Sequence, residues 1–266
     1  MQSDPLPDTE HISAHLVEDG HVLRILLNRP RANILTLEMM GEISTVLKTH
    51  RNDPHLRIVL IRGAGGNFSF GASVDEHRRD VAAELLKVFH TFIREIAAYP
   101  VPVAALAEGR CFGGAFELAL CCHLVFATVG TRFACPEIKL GVFPPVLAAI
   151  GPLRLGGALA ERMMLSGTDI SGAAGERLGF VAAVFEDADI ETRAMEWIRA
   201  HILSLSAHSL RVATRVSRMG SGILAALDTR LEEAERAYVD DIVGSHDGNE
   251  GIEAFIEHRT PVWLDR

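Results

Sequence analysis

Val103-Ala104-Ala105-Leu106-Ala107-Glu108-Gly109-Arg110-Cys111-Phe112-Gly113-Gly114-Ala115-Phe116-Glu117-Leu118-Ala119 decides how this chain folds. The apolar run Val103 to Leu106 follows Pro100-Val101-Pro102 and reads as a strand, since the prolines stop the preceding helix. A glycine-rich turn then leads into a helix over Gly114–Leu120, and Leu124-Val125-Phe126-Ala127 is apolar strand again. Strands and helices alternating at so short a period predict stacked β-β-α units in a largely parallel arrangement.

Working outward, Arg57 to Arg62 is a β-branched run ending in Gly63-Ala64-Gly65-Gly66, a buried strand feeding a glycine loop. Residues 80–98 carry Leu85, Val88, Phe89, Phe92, Ile93 and Ile96 at helical spacing. Near the start, Asp19-Gly20 between Ile12–Val17 and Val22–Asn28 signals a hairpin. Thr36 then caps a helix with Leu37, Met40, Ile43, Val46 and Leu47 on one face. Residues 157–165 and 172–179 are helical, and Val181–Phe185 is a late strand. From Ile190 the chain reads almost wholly helical, so we expect an α/β core over 1–200 and a helical region over 201–266 that packs on the core or on a neighbouring subunit.

With 266 residues, 48 % hydrophobic and 23 % charged, the chain can bury a sizeable core. The first eight residues have neither the basic start and apolar run of a secretory signal nor an Arg-rich transit pattern, and no stretch is long and apolar enough to span a bilayer, so we expect a cytoplasmic protein off the membrane. Cys111, Cys121, Cys122 and Cys135 form no disulfide framework and read as buried thiols. A net charge of −9 argues against nucleic-acid binding. His11 and His15 lack the Glu of a HExxH site, and no phosphate loop or dinucleotide fingerprint opens a helix, so no metal or nicotinamide cofactor is expected.

The chemistry-bearing residues are two glutamates, Glu117 and Glu137, each just beyond a turn. Two carboxylates so placed can hold one water and move its protons. Gly113-Gly114 before a helix exposes backbone N–H groups that suit a developing oxyanion, and Gly71-Ala72 after Phe68-Ser69-Phe70 offers a second donor. Singly, each feature is a turn device or a solvated carboxylate; their order along the chain is what points to water addition beside a polarised carbonyl.

Asn28-Arg29-Pro30-Arg31-Ala32-Asn33, Phe68 to Ser73, Glu108 to Ala119, Phe133 to Gly141 and Glu250 to Arg259 together resemble the signature segments of the enoyl-CoA hydratase/isomerase (crotonase) superfamily. The resemblance implies an α/β fold, a crotonase-type spiral of stacked ββα units with a helical C-terminal region. It implies oxyanion-hole amides at Ala72 and Gly114, hydratase glutamates at Glu117 and Glu137, and CoA contacts from Arg31, Ala32, Ser73 and Val74. It also implies an acyl-CoA thioester substrate, coenzyme A being part of that substrate, and a homotrimer or a dimer of trimers. Tail charges at His258 and Arg259 read as solvated, the alternative being that one of them reaches a CoA phosphate from a neighbouring subunit.

A narrower resemblance, in Phe68 to His77, Arg31 to Ile34, Gly141-Val142-Phe143 and Ser245-His246-Asp247, is to the cyclohexa-1,5-diene-1-carbonyl-CoA hydratases of anaerobic aromatic degradation. It implies 1,4-addition of water to a ring dienoyl thioester. Phe143-Pro144-Pro145-Val146-Leu147 replaces a polar helix start common in the family, either lining an apolar acyl pocket or simply restarting the helix. The alternatives are a 2-enoyl-CoA hydratase of fatty-acid or amino-acid degradation, an isomerase or hydrolase using one carboxylate, and a non-catalytic scaffold, against which the retention of both glutamates argues.

Overall fold

The computed structural model describes residues 9–29, 32–186 and 189–266. An antiparallel hairpin comes first, β1 (Ile12–Val17) and β2 (Val22–Leu27), with Val17 opposite Val22. Its turn is built on left-handed backbone, Glu18 at φ 54°, Asp19 at 55° and Gly20 at 83°. Helix α1 (Leu37–His50) is capped by Thr36, whose hydroxyl accepts from the Met39 amide at 3.4 Å. There follow β3 (Ile58–Gly63), α2 (Ala82–Ala97), β4 (Val103–Ala107), β5 (Arg110–Phe112), α3 (Gly114–Cys121), β6 (Leu124–Thr128) and β7 (Arg132–Ala134). Beyond a 3-10 turn at Glu137–Leu140 come α4 (Pro145–Leu155), α5 (Gly157–Ser166), β8 (Ile170–Ser171), α6 (Gly172–Arg177), β9 (Ala183–Phe185) and α7 (Ile190–His201). The chain closes with α8 (Ala207–Ser221), α9 (Ile223–Ala237), a π turn at Tyr238–Ile242 and α10 (His246–Ile256).

The larger sheet has the order β1-β2-β3-β4-β6-β9 and is parallel except for the hairpin. A second, short sheet, β5-β7-β8, is continued by single bridges from Cys111 to Ser69 and from Ala72 to Leu35. Each pass of the chain therefore places one strand in the first sheet, a short extended piece in the second, and then a helix. This is the expected spiral of stacked ββα units. The short strands β5, β7 and β8 have two or three residues each, too few for a periodicity to register, and they escaped sequence reading.

The central strands are buried on both faces, which is why β4 reads as an unbroken apolar run rather than alternating. On one face α1, α2, α3, α4 and α9 close the main core; on the other, α7 covers Leu60, Leu106 and Phe126. The fully buried Phe126 lies edge-on to Trp197 at 5.2 Å between ring centroids, a burial that stabilises by roughly 1.5–3 kcal/mol. In the C-terminal region α9 packs against α4 and α2 of the same chain, with Ile223, Leu227 and Leu231 in the main core. Among the described residues, no helix is long and apolar enough to cross a membrane.

Candidate active site

The second sheet brings the two glycine turns together. Gly71 has φ 102°, and a Cβ there would lie 2.7 Å from the Phe112 carbonyl oxygen and 3.2 Å from the Gly114 nitrogen. Glycine is required for that approach. Four hydrogen bonds hold the arrangement: the Leu35 amide donates to Gly71 O at 2.9 Å, the Gly71 amide to Ser69 Oγ at 3.0 Å, the Phe112 amide to Ser69 O at 3.0 Å, and the Gly113 amide to Ala134 O at 2.8 Å. Gly113, at φ 54°, then turns the chain into α3. Among the described residues the Ala72 and Gly114 amides have no protein acceptor. Gly114 is the first residue of α3, so its N–H also carries the positive end of the helix dipole.

Glu117 sits in the first turn of α3 and is 3 % exposed. Its Oε1 accepts from the Leu147 amide at 2.9 Å. That donor belongs to the first turn of α4, where N–H groups lack intrahelical partners and Pro145 at the head has none to lose. The segment Phe143-Pro144-Pro145-Val146-Leu147 restarts a helix, and Phe143, Pro144 and Pro145 line an apolar cavity. Burial pushes the Glu117 carboxyl up to about 7, against the pull of the Leu147 and Val146 amides.

Glu137 enters from the 3-10 turn Glu137–Leu140, which ends at Gly141 with φ 72°. Its Oε1 lies 2.7 Å from where a Cβ on Gly113 would stand, and its Oε2 is buried with no hydrogen-bond partner. Burial, and then repulsion from Glu117, push this carboxyl up to about 8. Like charges that feel each other across a mainly apolar cavity titrate as a pair, and the second proton comes off less readily than the first.

Both carboxylates and both turns line one cavity of about 510 Å³. Its walls are mainly apolar, with Phe70, Phe89, Phe112, Phe143, Tyr238 and Ile252 among them. Phe89 lies against Gly114, its ring 3.1 Å from the position of a Cβ there, so a side chain at residue 114 would require the ring to shift. Ala32, Ser73 and Val74 line the same cavity; Arg31 falls outside the described residues. The structure thus brings Ala72, Gly114, Glu117 and Glu137 together with three of the four expected CoA-contact positions.

Sequence reading missed His77, Tyr238 and the roofing role of Phe89. His77 Nδ1 is 2.7 Å from Ser73 O and steadies the loop that presents Ser73, while burial lowers its pKa. Tyr238 gave one signal, its place seven residues beyond Leu231 on the buried stripe of the last helices. Arg259 is held by Glu250 and Glu257 on an exposed surface. Among the described residues, no cluster of three or more His, Cys, Asp or Glu could hold a metal ion.

Two carboxylates of raised proton affinity, facing two free amides across an apolar cavity, make a site for proton transfer beside an activated carbonyl. The family model Enoyl-CoA hydratase/isomerase matches residues 18–266, and the chain belongs to that family. It is 41 % identical over 251 residues to the cyclohexa-1,5-dienecarbonyl-CoA hydratase of Thauera aromatica, covering 94 % of this chain and 96 % of that protein. It is 30 % identical over 269 residues to the carnitinyl-CoA dehydratase of Escherichia coli strain K12, covering 96 % and 99 %. Among solved structures, an enoyl-CoA hydratase from Mycobacterium avium subsp. paratuberculosis K-10 superimposes with a TM-score of 0.84 at 28 % identity, covering 97 % of this chain and all of the other.

Proposed function

We propose that this protein is a hydro-lyase that adds water to an unsaturated acyl-CoA thioester, and that its substrate is a ring dienoyl thioester, cyclohexa-1,5-diene-1-carbonyl-CoA. The observation that carries the reading is the convergence of Glu117 and Glu137, both with raised proton affinity, beside the unpaired Ala72 and Gly114 amides. The two amides receive the thioester oxygen and stabilise the dienolate; each such donor is worth about 2.7–4 kcal/mol in the transition state. Glu117, steadied by the Leu147 amide, carries the negative charge and takes a proton from water. The hydroxyl joins the carbon β to the thioester. Glu137, whose Oε2 lacks such a partner, holds a proton and delivers it to the far end of the conjugated system. The product is 6-hydroxycyclohex-1-ene-1-carbonyl-CoA. Ala32, Ser73 and Val74, with Arg31, hold the CoA portion, and no separate cofactor takes part.

The apolar, aromatic-walled cavity supports a planar ring as the acyl group, as does the likeness to the Thauera aromatica hydratase. Assay of the purified protein with cyclohexa-1,5-diene-1-carbonyl-CoA beside crotonyl-CoA tests the reading. Faster turnover of the ring substrate is expected. Comparable or exclusive turnover of crotonyl-CoA reassigns the protein to linear 2-enoyl-CoA chemistry, and no turnover of either favours a scaffold. We also propose a cytoplasmic homotrimer or dimer of trimers, with residues 201–266 at the contacts. The exposed apolar side chains Val212, Val216 and Met219 of α8 support this, and light scattering showing a monomer overturns it.

A further inference from the structure

The hydroxyl of Tyr238 has no part in the mechanism above. Tyr238 heads the π turn that follows α9, which is closed by the Val243 amide donating to Tyr238 O at 3.0 Å. The side chain packs with Leu86, Val142 and Ile252, and its ring lies 5.4 Å from that of Phe143, tilted by 59°. Those contacts account for an aromatic ring at this position. Phenylalanine would make every one of them, so they leave the oxygen unexplained.

Among the described residues the phenol makes no hydrogen bond, although Tyr238 is 2 % exposed and lines the cavity that holds both glutamates. A hydroxyl that lines a cavity with no protein partner is free to bond an oxygen that the cavity receives. Burial, then the charges of Glu137 and Glu117, hold the phenol well above its usual pKa, so it stays protonated and serves as a donor. Glu137, which lines the same cavity, has its Oε2 buried with no hydrogen-bond partner. Two unsatisfied polar atoms thus border one otherwise mainly apolar space. The π turn adds an extra residue to the helix at this point, a device that recurs at functional sites.

We propose that Tyr238 and Glu137 bracket the oxygen that water contributes, the phenol donating a hydrogen bond to it as it becomes the β-hydroxyl of the product. The inference rests on the hydratase reading. The water O–H bond breaks towards Glu117, the C–O bond forms at the β carbon, and the phenol keeps its own proton throughout. Because the hydroxyl lands on the β carbon of a ring or a linear substrate alike, the role does not depend on which of them is used.

Tyr238→Phe tests it in two arms. On the acyl-CoA that the wild type hydrates, kcat should fall about tenfold while KM stays within about twofold and the melting temperature is kept. By calorimetry, the wild type should bind 6-hydroxycyclohex-1-ene-1-carbonyl-CoA more tightly than cyclohex-1-ene-1-carbonyl-CoA. The variant should lose about three- to tenfold of that preference. An unchanged kcat with an unchanged preference overturns the proposal, as does a rise in KM alone with the preference intact. If the wild type hydrates no CoA ester, the hydratase reading fails, and the binding arm still decides whether Tyr238 reads a hydroxyl.

Discussion

The turn at Gly113–Glu117 and the turn at Pro136–Gly141 each carry one glutamate into the cavity, but they hold it in opposite ways. Glu117 rides on the first turn of α3 and is tied to the first-turn amides of α4, two helix N-termini that favour negative charge. Glu137 rides on a four-residue 3-10 turn, and one of its oxygens is buried without a partner. The same side chain is met by helix amides in one place and keeps an unpartnered oxygen in the other, while burial raises the proton affinity of both. Environment, rather than residue type, sets the two apart.

Removing either carboxyl is the strongest way to break this comparison. Glu117→Gln and Glu137→Gln should each lower kcat by about 10²–10⁴-fold while leaving CoA-ester binding nearly intact, read by steady-state kinetics beside calorimetry. The double variant should be little worse than the poorer single one, because the pair acts as a unit. An unaffected rate in either single variant would sink the two-glutamate mechanism.

A smaller blow falls on the joint between the turns. Gly113→Ala places a Cβ 2.7 Å from Glu137 Oε1, on backbone at φ 54°, and so displaces Glu137 while Glu117 keeps its α4 donor. We expect a loss of about 10²-fold in kcat, with the Leu147-to-Glu117 hydrogen bond preserved in a crystal structure of the variant. Full activity would show that the two turns are not coupled through Gly113.

The smallest effect is on stability. Both carboxyls bind protons more tightly than the ordinary value of 4.5, so between pH 4.5 and about 8 the folded protein holds more protons than the unfolded chain. Stability contributed by the protonated pair is complete below pH 4.5 and is lost as pH rises through about 7 and 8. Glu137→Gln should therefore melt with the wild type at pH 4.5 and above it at pH 9. The gain at pH 9 is on the order of 1 kcal/mol once solvent access to the cavity is allowed for. Parallel pH curves in thermal melts would show that Glu137 is not held protonated.

How much of this was legible in the sequence differs element by element. Helices α1 and α2 carry enough turns for an apolar stripe to repeat; Thr36 caps α1 as expected, and the bounds of α2 fall within two residues of expectation. Strands β5 and β7 have no such repeat, yet they press Ser69, Cys111 and Phe133 side by side and so align Ala72 with Gly114. The positive φ of Gly71 and Gly113 was hinted at by glycine itself. The partnership of Leu147 with Glu117 joins residues thirty positions apart and leaves no local mark. Tyr238 lies farther still, 101 positions beyond Glu137, and reads locally as one more member of an apolar stripe.

By itself, the sequence determined the order of the main-sheet strands and of most helices, the glycine turns and the two glutamates, because propensity, periodicity and turn chemistry act over a few residues. Only the tertiary structure decided that Glu117 is clamped by α4, that Glu137 Oε2 is left unpartnered, and that Tyr238 lines the same cavity. Burial and charge proximity set those properties, and both depend on what the distant chain brings alongside.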